Sequence, residues 1–140
     1  DNVTGFSLAG GDKLDVAGIA GVAIDATLTT DSTLTIGSFE VSSIKITNGN
    51  VVFSAANDGS SPITIDSTAK LAAAVQALSR NDLGSAGDSV YFTATIDTST
   101  HTYVYTQSGA SAGGDIIDLV GVTATSLITS GTTAGGVLIA

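Results

Sequence analysis

The chain has 140 residues and a formal charge of −9, from 13 acidic side chains against four basic ones, so it is the size of one domain and has too few cations for a nucleic-acid or anionic-membrane interface. It has no Cys, Met or Trp and one His, which excludes thiolate catalysis, zinc held by sulfur and a disulfide framework. Hydrophobic residues make up 43% of it, enough to bury a core, so the acidity does not mean disorder. Twelve of the acids are Asp and only Glu40 is Glu; Ser and Thr together number 37 and Gly 17. A helical protein clothes itself in Glu, Lys and Arg. Thr, Ser, Asp and Gly belong to strands, turns and oxygen-ligand sites.

Thr4 to Leu8 and Lys13 to Val16 read as short extended segments about a Gly10-Gly11-Asp12 turn. The longest apolar stretch, Val16 to Ile24, is broken by Gly18 and Gly21 and is too short to span a bilayer. Ala26 to Ile36 alternates Leu28, Leu34 and Ile36 with threonines, and Phe39 to Thr47 continues the alternation, as half-buried strands do. Asn48-Gly49 is a hairpin turn returning through Val51 to Ala55, and Asn57-Asp58-Gly59 is a second turn. One segment breaks the pattern. Leu71, Val75 and Leu78 share one helical face, Asp66 or Ser67 can cap the first free amides, and Arg80 suits the negative end of the dipole. This predicts one helix at about 67–80, packed on a sheet. Asp88 to Ile96 and His101 to Thr106 follow as strands joined by a four-residue loop, Asp97 to Thr100. Ser108 to Gly114 is a small-residue loop, and Ile116 to Val122 and Val137 to Ile139 are the last extended segments.

The chain echoes itself. Gly10 to Ile19 and Gly113 to Val122 share the pattern G-G-D-x-[LI]-D-[VL]-x-G-[IV]. One reading is a turn-into-strand device used twice. The other is that Asp12, Asp15, Asp115 and Asp118 offer oxygens to Ca²⁺, which takes six to eight hard oxygen ligands in flexible geometry. In a regular strand, Asp12 and Asp15 would face opposite sides and share an ion only through the turn.

The segment Val3 to Val16, with its Gly10-Gly11-Asp12-Lys13-Leu14-Asp15-Val16, resembles the stretch that closes the calcium-binding nonapeptide arrays of RTX-type proteins. Asp88-Ser89-Val90-Tyr91-Phe92, His101-Thr102-Tyr103-Val104-Tyr105 and Asp115 to Val122 resemble the C-terminal domains of large RTX-type surface proteins, including S-layer proteins. Together these cover about a third of the chain. The resemblance implies a bacterial protein exported by type I secretion through an uncleaved C-terminal signal, for which the apolar Val137-Leu138-Ile139-Ala140 is the matching tail. It also implies that Asp12 completes the last site of a preceding calcium roll. No G-G-x-G-x-D repeat is present here, so such a roll would lie before Asp1.

Other constellations are weak. Gly109-Ala110-Ser111-Ala112-Gly113 matches G-x-S-x-G, but the nucleophile elbow needs a following helix and a later His, and His101 comes before it. His101 alone reads as a surface residue. Tyr91, Tyr103 and Tyr105 could form an exposed adhesive stripe, with cross-strand packing the plainer use.

The expectation is a mainly β fold, a β-sandwich or rolled sheet of short strands with one covering helix at about 67–80. Residues 1–140 read as a single domain, the C-terminal fragment of a longer chain. The expected function is non-catalytic: a C-terminal domain of a secreted bacterial surface protein serving export and calcium-assisted folding or surface assembly. The expected partners are further copies, other surface-layer subunits and, through the C-terminus, the type I secretion machinery, with no nucleic acid and no membrane span. The alternative is a carbohydrate- or cell-surface-binding adhesin module.

Overall fold

The computed structural model describes residues 1–7, 9, 12, 14–15, 22–23, 26–36, 39–125, 127–128 and 136–139. The chain is mainly β with a single helix. The strands are β1 (Asn2–Val3), β2 (Leu14–Asp15), β3 (Val22–Ala23), β4 (Ala26–Ile36), β5 (Phe39–Thr47), β6 (Asn50–Ser54), β7 (Asp88–Ile96), β8 (Ser99–Gln107), β9 (Gly114–Val120), β10 (Leu127–Ile128) and β11 (Gly136–Ile139). The helix α1 is Thr68–Arg80. A mixed sheet runs in the order β1-β9-β8-β7-β6-β5-β4, with β3 also paired to β7, and a small sheet runs β10-β11-β2. Among the described residues no helix is long and apolar enough to cross a membrane.

Local chemistry accounts for the antiparallel parts. The Asn48-Gly49 turn has φ of 48° and 77°, the left-handed pair that matches the twist of a two-residue hairpin, and it joins β5 to β6. Ser67 caps α1 by accepting from the Lys70 N–H at 3.4 Å, and Asn81 ends it by donating through Nδ2 to the Ala77 carbonyl at 2.7 Å. Strands β6 and β7 run parallel, so a crossover must join them, and α1 lies within it.

Two apolar clusters sit on opposite faces of the main sheet. On one face α1 lies over β4 and β5, and its Ala73, Ala74, Ala77 and Leu78 pack with Ile44, Phe53, Phe92 and Tyr105. Burying a side chain such as Leu78 or Phe92 contributes about 1.5–3 kcal/mol, far more than the surface pair Lys70–Asp66 at 2.7 Å, whose class is worth about 0.3–0.5 kcal/mol. On the other face Tyr91, Val104 and Leu119 are covered by Phe6, Leu14, Val122 and Ala124. The Thr102 hydroxyl fastens that cover, donating to the Val122 carbonyl at 2.8 Å and accepting from the Ala124 N–H at 3.0 Å. A register shift between Thr29 and Leu34 lets Leu28 oppose Ile44 while Leu34 opposes Val41.

Gln107 is fully buried and fully used. Its Oε1 accepts from the Leu83 N–H at 2.6 Å, and its Nε2 donates to Asp82 Oδ1 at 2.9 Å and to the Gly109 carbonyl at 3.0 Å. It ties the loop after α1 to the end of β8. Gln107 and the Gly84 N–H both hold the Asp82 carboxyl below its ordinary range.

Two segments differ from the sequence expectation. The extended pairing near the start is at Asn2–Val3, alongside Asp118–Leu119 of β9, and not at Thr4 to Ser7, while Leu8 of the expected segment lies outside the described residues. The β7–β8 connection is a two-residue turn, Asp97-Thr98, with Ile96 opposite Ser99. Both turn residues are left-handed, with φ of 49° and 68°. A β-branched residue is disfavoured there, so the turn is strained at Thr98. Relief of that strain gives a direct test. Thr98→Gly is expected to stabilise the protein by about 1 kcal/mol, read as a higher midpoint in denaturant at unchanged slope.

Candidate functional site

The later copy of the repeated motif forms β9, and three of its neighbours converge on Asp118. Strand alternation places His101, Tyr103 and Tyr105 of β8 on the face that carries Phe92, and the register sets Asp118 directly across from Tyr103. Asp118 Oδ1 lies 2.8 Å from His101 Nδ1, and Asp118 Oδ2 accepts from Asn2 Nδ2 at 3.3 Å. Tyr103 is the third neighbour, opposite Asp118 in the ladder, and the carboxylate acts on its hydroxyl. His101 and Asp118 are half-buried, 13% and 17% exposed at their side chains, so the lone histidine is a paired, oriented group and not a free surface residue.

An aromatic file runs inward from this cluster. The His101 ring lies parallel to Tyr103 at 5.8 Å, Tyr103 stacks on Phe92 at 5.2 Å, and Phe92 meets Phe53 edge-on at 5.1 Å. Such contacts add about 0.5–1.5 kcal/mol each beyond their burial. The tyrosines are therefore packing residues: Tyr91, Tyr103 and Tyr105 are all buried, Tyr91 on the opposite face, and they form no exposed stripe. Burial first, then the Asp118 charge and hydrogen bond, push the Tyr103 hydroxyl up to about 12.

The other aspartates of the motif go elsewhere. Asp12 is exposed, and its carboxylate accepts from the Ser7 N–H at 2.8 Å, closing a local turn. Asp15 lies in β2, whose partner is β11, and its side chain is outside the described part. Gly10, Gly11, Lys13 and residues 16–19 of the first copy are also outside it, as are most of residues 16–24 and Ala140 of the tail. Asp115 is exposed near Tyr105 and raises that hydroxyl, after burial. Among the described residues, no three His, Asp or Glu come together as a metal-holding group. Calcium takes six to eight converging oxygens, and Asp12 and Asp118 are already engaged by donors within the chain.

The chemistry open to this cluster is orientation. Asp118 fixes the imidazole as it would in a triad, but among the described residues no hydroxyl is bonded to His101. Ser111 of the G-x-S-x-G stretch sits in the β8–β9 loop, followed by a strand, at the far end of the hairpin from His101. At about 3.3 Å per residue the intervening strand separates them by roughly 20 Å. The chain matches no family model, and neither a curated protein nor a solved structure matches it.

Gly114 is needed where it stands: a Cβ there would strike the Thr106 carbonyl and the Tyr105 ring, which lies across it. The buried Tyr105 hydroxyl finds no hydrogen-bond partner among the described residues.

Two measurements check these assignments. Below pH 10, Tyr103 is neutral in both states. Between about pH 10 and 12 an unfolded tyrosine ionises while the folded one stays protonated, so stability falls as pH rises through that window. Tyr91 and Tyr105 are raised as well and share the sign, so Tyr103→Phe should flatten, without abolishing, the decline in melting temperature from pH 10 to 12. Tyr105→Phe removes only an unsatisfied oxygen, and calorimetry should find stability unchanged or raised by up to about 1 kcal/mol.

Proposed function

We propose that this chain is a non-catalytic structural domain of a secreted bacterial surface protein, and that its task is lateral assembly. The observation that carries this reading is the outermost strand. β4 is eleven residues long, stands last in the sheet order, and has no strand paired to its outer side among the described residues. Its sequence, Ala26 to Ile36, contains one charge, Asp31, and no Lys or Pro. Proteins that remain monomeric guard long edges with lysine, proline or strong bulges. Here a bulge, residues 30–33 against Ser42, splits the edge into two regularly paired runs, 26–29 and 34–36. The resemblance to RTX-type surface proteins supports the same reading, and export by type I secretion belongs to it.

Charge governs when copies can meet. At −9 each they repel, and salt screens exposed charges over about 8 Å at physiological strength. Calcium enters this reading as counter-charge between acidic neighbours. Sedimentation velocity should therefore find reversible association that strengthens with salt, and more so with CaCl₂ than with NaCl at equal ionic strength. Thr35→Lys places a guarding lysine opposite Glu40 on the neighbouring strand. It should weaken association about tenfold with the melting temperature kept. A strict monomer at millimolar protein in every salt would sink the reading.

A further inference from the structure

A slot opens between β6 and β7. The parallel ladder joining them closes at Asn50↔Tyr91 and goes no further. Along that edge of β7, the Tyr91 N–H donates to the Gly49 carbonyl at 2.8 Å and the Thr95 N–H donates to the Ile65 carbonyl at 2.9 Å. Backbone groups alternate sides along a strand, so the N–H and C=O of Thr93, midway between those bonds, point to the same side. The next rung of the ladder would join the Thr93 N–H to the Val51 carbonyl. Instead Val51 and Thr93 are opposite walls of a cavity of about 260 Å³. Phe53, Phe92 and Ile65 line it as well. Val52, 41% exposed, and the exposed Asn50 and Thr64 stand at its rim. A second cavity of about 220 Å³ shares Thr64, Ile65 and Thr93 and adds Thr95, Thr100 and Thr123.

The wall chemistry selects a ligand. The Thr93 N–H is a donor and the Thr93 and Val51 carbonyls are acceptors, so a fitting group must both accept and donate. A carboxylate fails, because it would meet the Val51 carbonyl with its charge and because the protein is itself strongly anionic. A trans secondary amide fits: its C=O takes the Thr93 N–H and its N–H gives to the Val51 carbonyl. A peptide running through as an extra strand does not fit, since Gly49–Tyr91 closes one end and Ile65–Thr95 the other. The amide must enter side-on with a small apolar group leading, toward Phe53 and Phe92. An acetamido group has that shape. The threonine-lined cavity beside it offers hydroxyls for the ring of a sugar, and the volume lies just below the range of about 300–1,000 Å³ for drug-sized ligands. We propose that this slot binds an N-acetylated hexosamine through its acetamido group.

Proton NMR with nitrogen-15 labelling tests this on the whole chain. In the free protein the Thr93 amide should exchange with solvent faster than those of Phe92 and Ala94, which face β8. With N-acetylglucosamine the Thr93 and Val51 amide signals should shift saturably, at millimolar concentrations. Glucose, which lacks the acetamido group, should leave them in place. Ile63→Trp, from the segment lining the slot, should abolish the shift with little change in melting temperature; if it does not fold, Thr64→Trp at the rim serves the same end. No saturable shift, an equal response to glucose, a response to N-methylacetamide but not to the sugar, or full binding by the filled variant would each overturn the proposal. None of these outcomes depends on self-association.

Discussion

The outer edge of β7 is the constraint on which the rest of the structure depends. Its inner edge is satisfied by β8 in a regular antiparallel hairpin. Its outer edge is shared in turn by β3 at Asp88–Ser89, by β6 at Tyr91 and by the Ile65 carbonyl at Thr95. Because β6 runs parallel to β7, the chain must cross over before pairing, and that crossover brings α1 onto β4 and β5. Segment 62–65 is then drawn into the sheet: Ile63 donates to the Phe53 carbonyl at 2.8 Å. An unpaired backbone group out of water costs about 1–3 kcal/mol, so nearly all of this edge is filled. Among the described residues, the β6–β7 ladder stops short of Thr93.

The preference for Asp over Glu has a physical explanation in the turns. Asp58 accepts from the Ser60 N–H at 2.9 Å, Asp82 from the Gly84 N–H at 2.9 Å, Asp88 from the Ser85 N–H at 2.7 Å and Asp12 from the Ser7 N–H at 2.8 Å. One methylene is the reach these local loops need, and Glu would overshoot. Asp58 is held below its ordinary range by its bonds to Ser60. The aspartates thus act as backbone mimics in a chain with many tight turns. Asp118 differs in kind: it joins residues from three strands, β1, β8 and β9.

Much of this was legible locally. The Asn48-Gly49 hairpin, the Ser67 cap, the helix ending at Arg80 and the spans of β4, β5 and β7 follow from neighbouring residues, because turn chemistry, capping and period-two alternation act over a few positions. The four-residue loop expected at Asp97 to Thr100 is a two-residue turn, because the β7–β8 ladder extends to Ile96–Ser99 and holds Thr98 left-handed. Gln107 carried no signal at all. A glutamine at the end of a strand looks like a surface residue until the loop after α1 supplies three partners for it.

The site divides along the same line. Composition and alternation alone establish a mainly β chain with one helix and tyrosines on strands, since those depend on each residue's own conformational and solvation preferences. They do not say which strand lies beside which. That is set by long-range pairing, where loop-closure entropy and packing over the whole chain compete. Pairing made Asp118 the partner of His101 and Asn2, buried the tyrosines, and opened the slot at Thr93. A threonine's backbone N–H carries no mark in sequence, and where the β6–β7 ladder ends beside it is decided only by the fold.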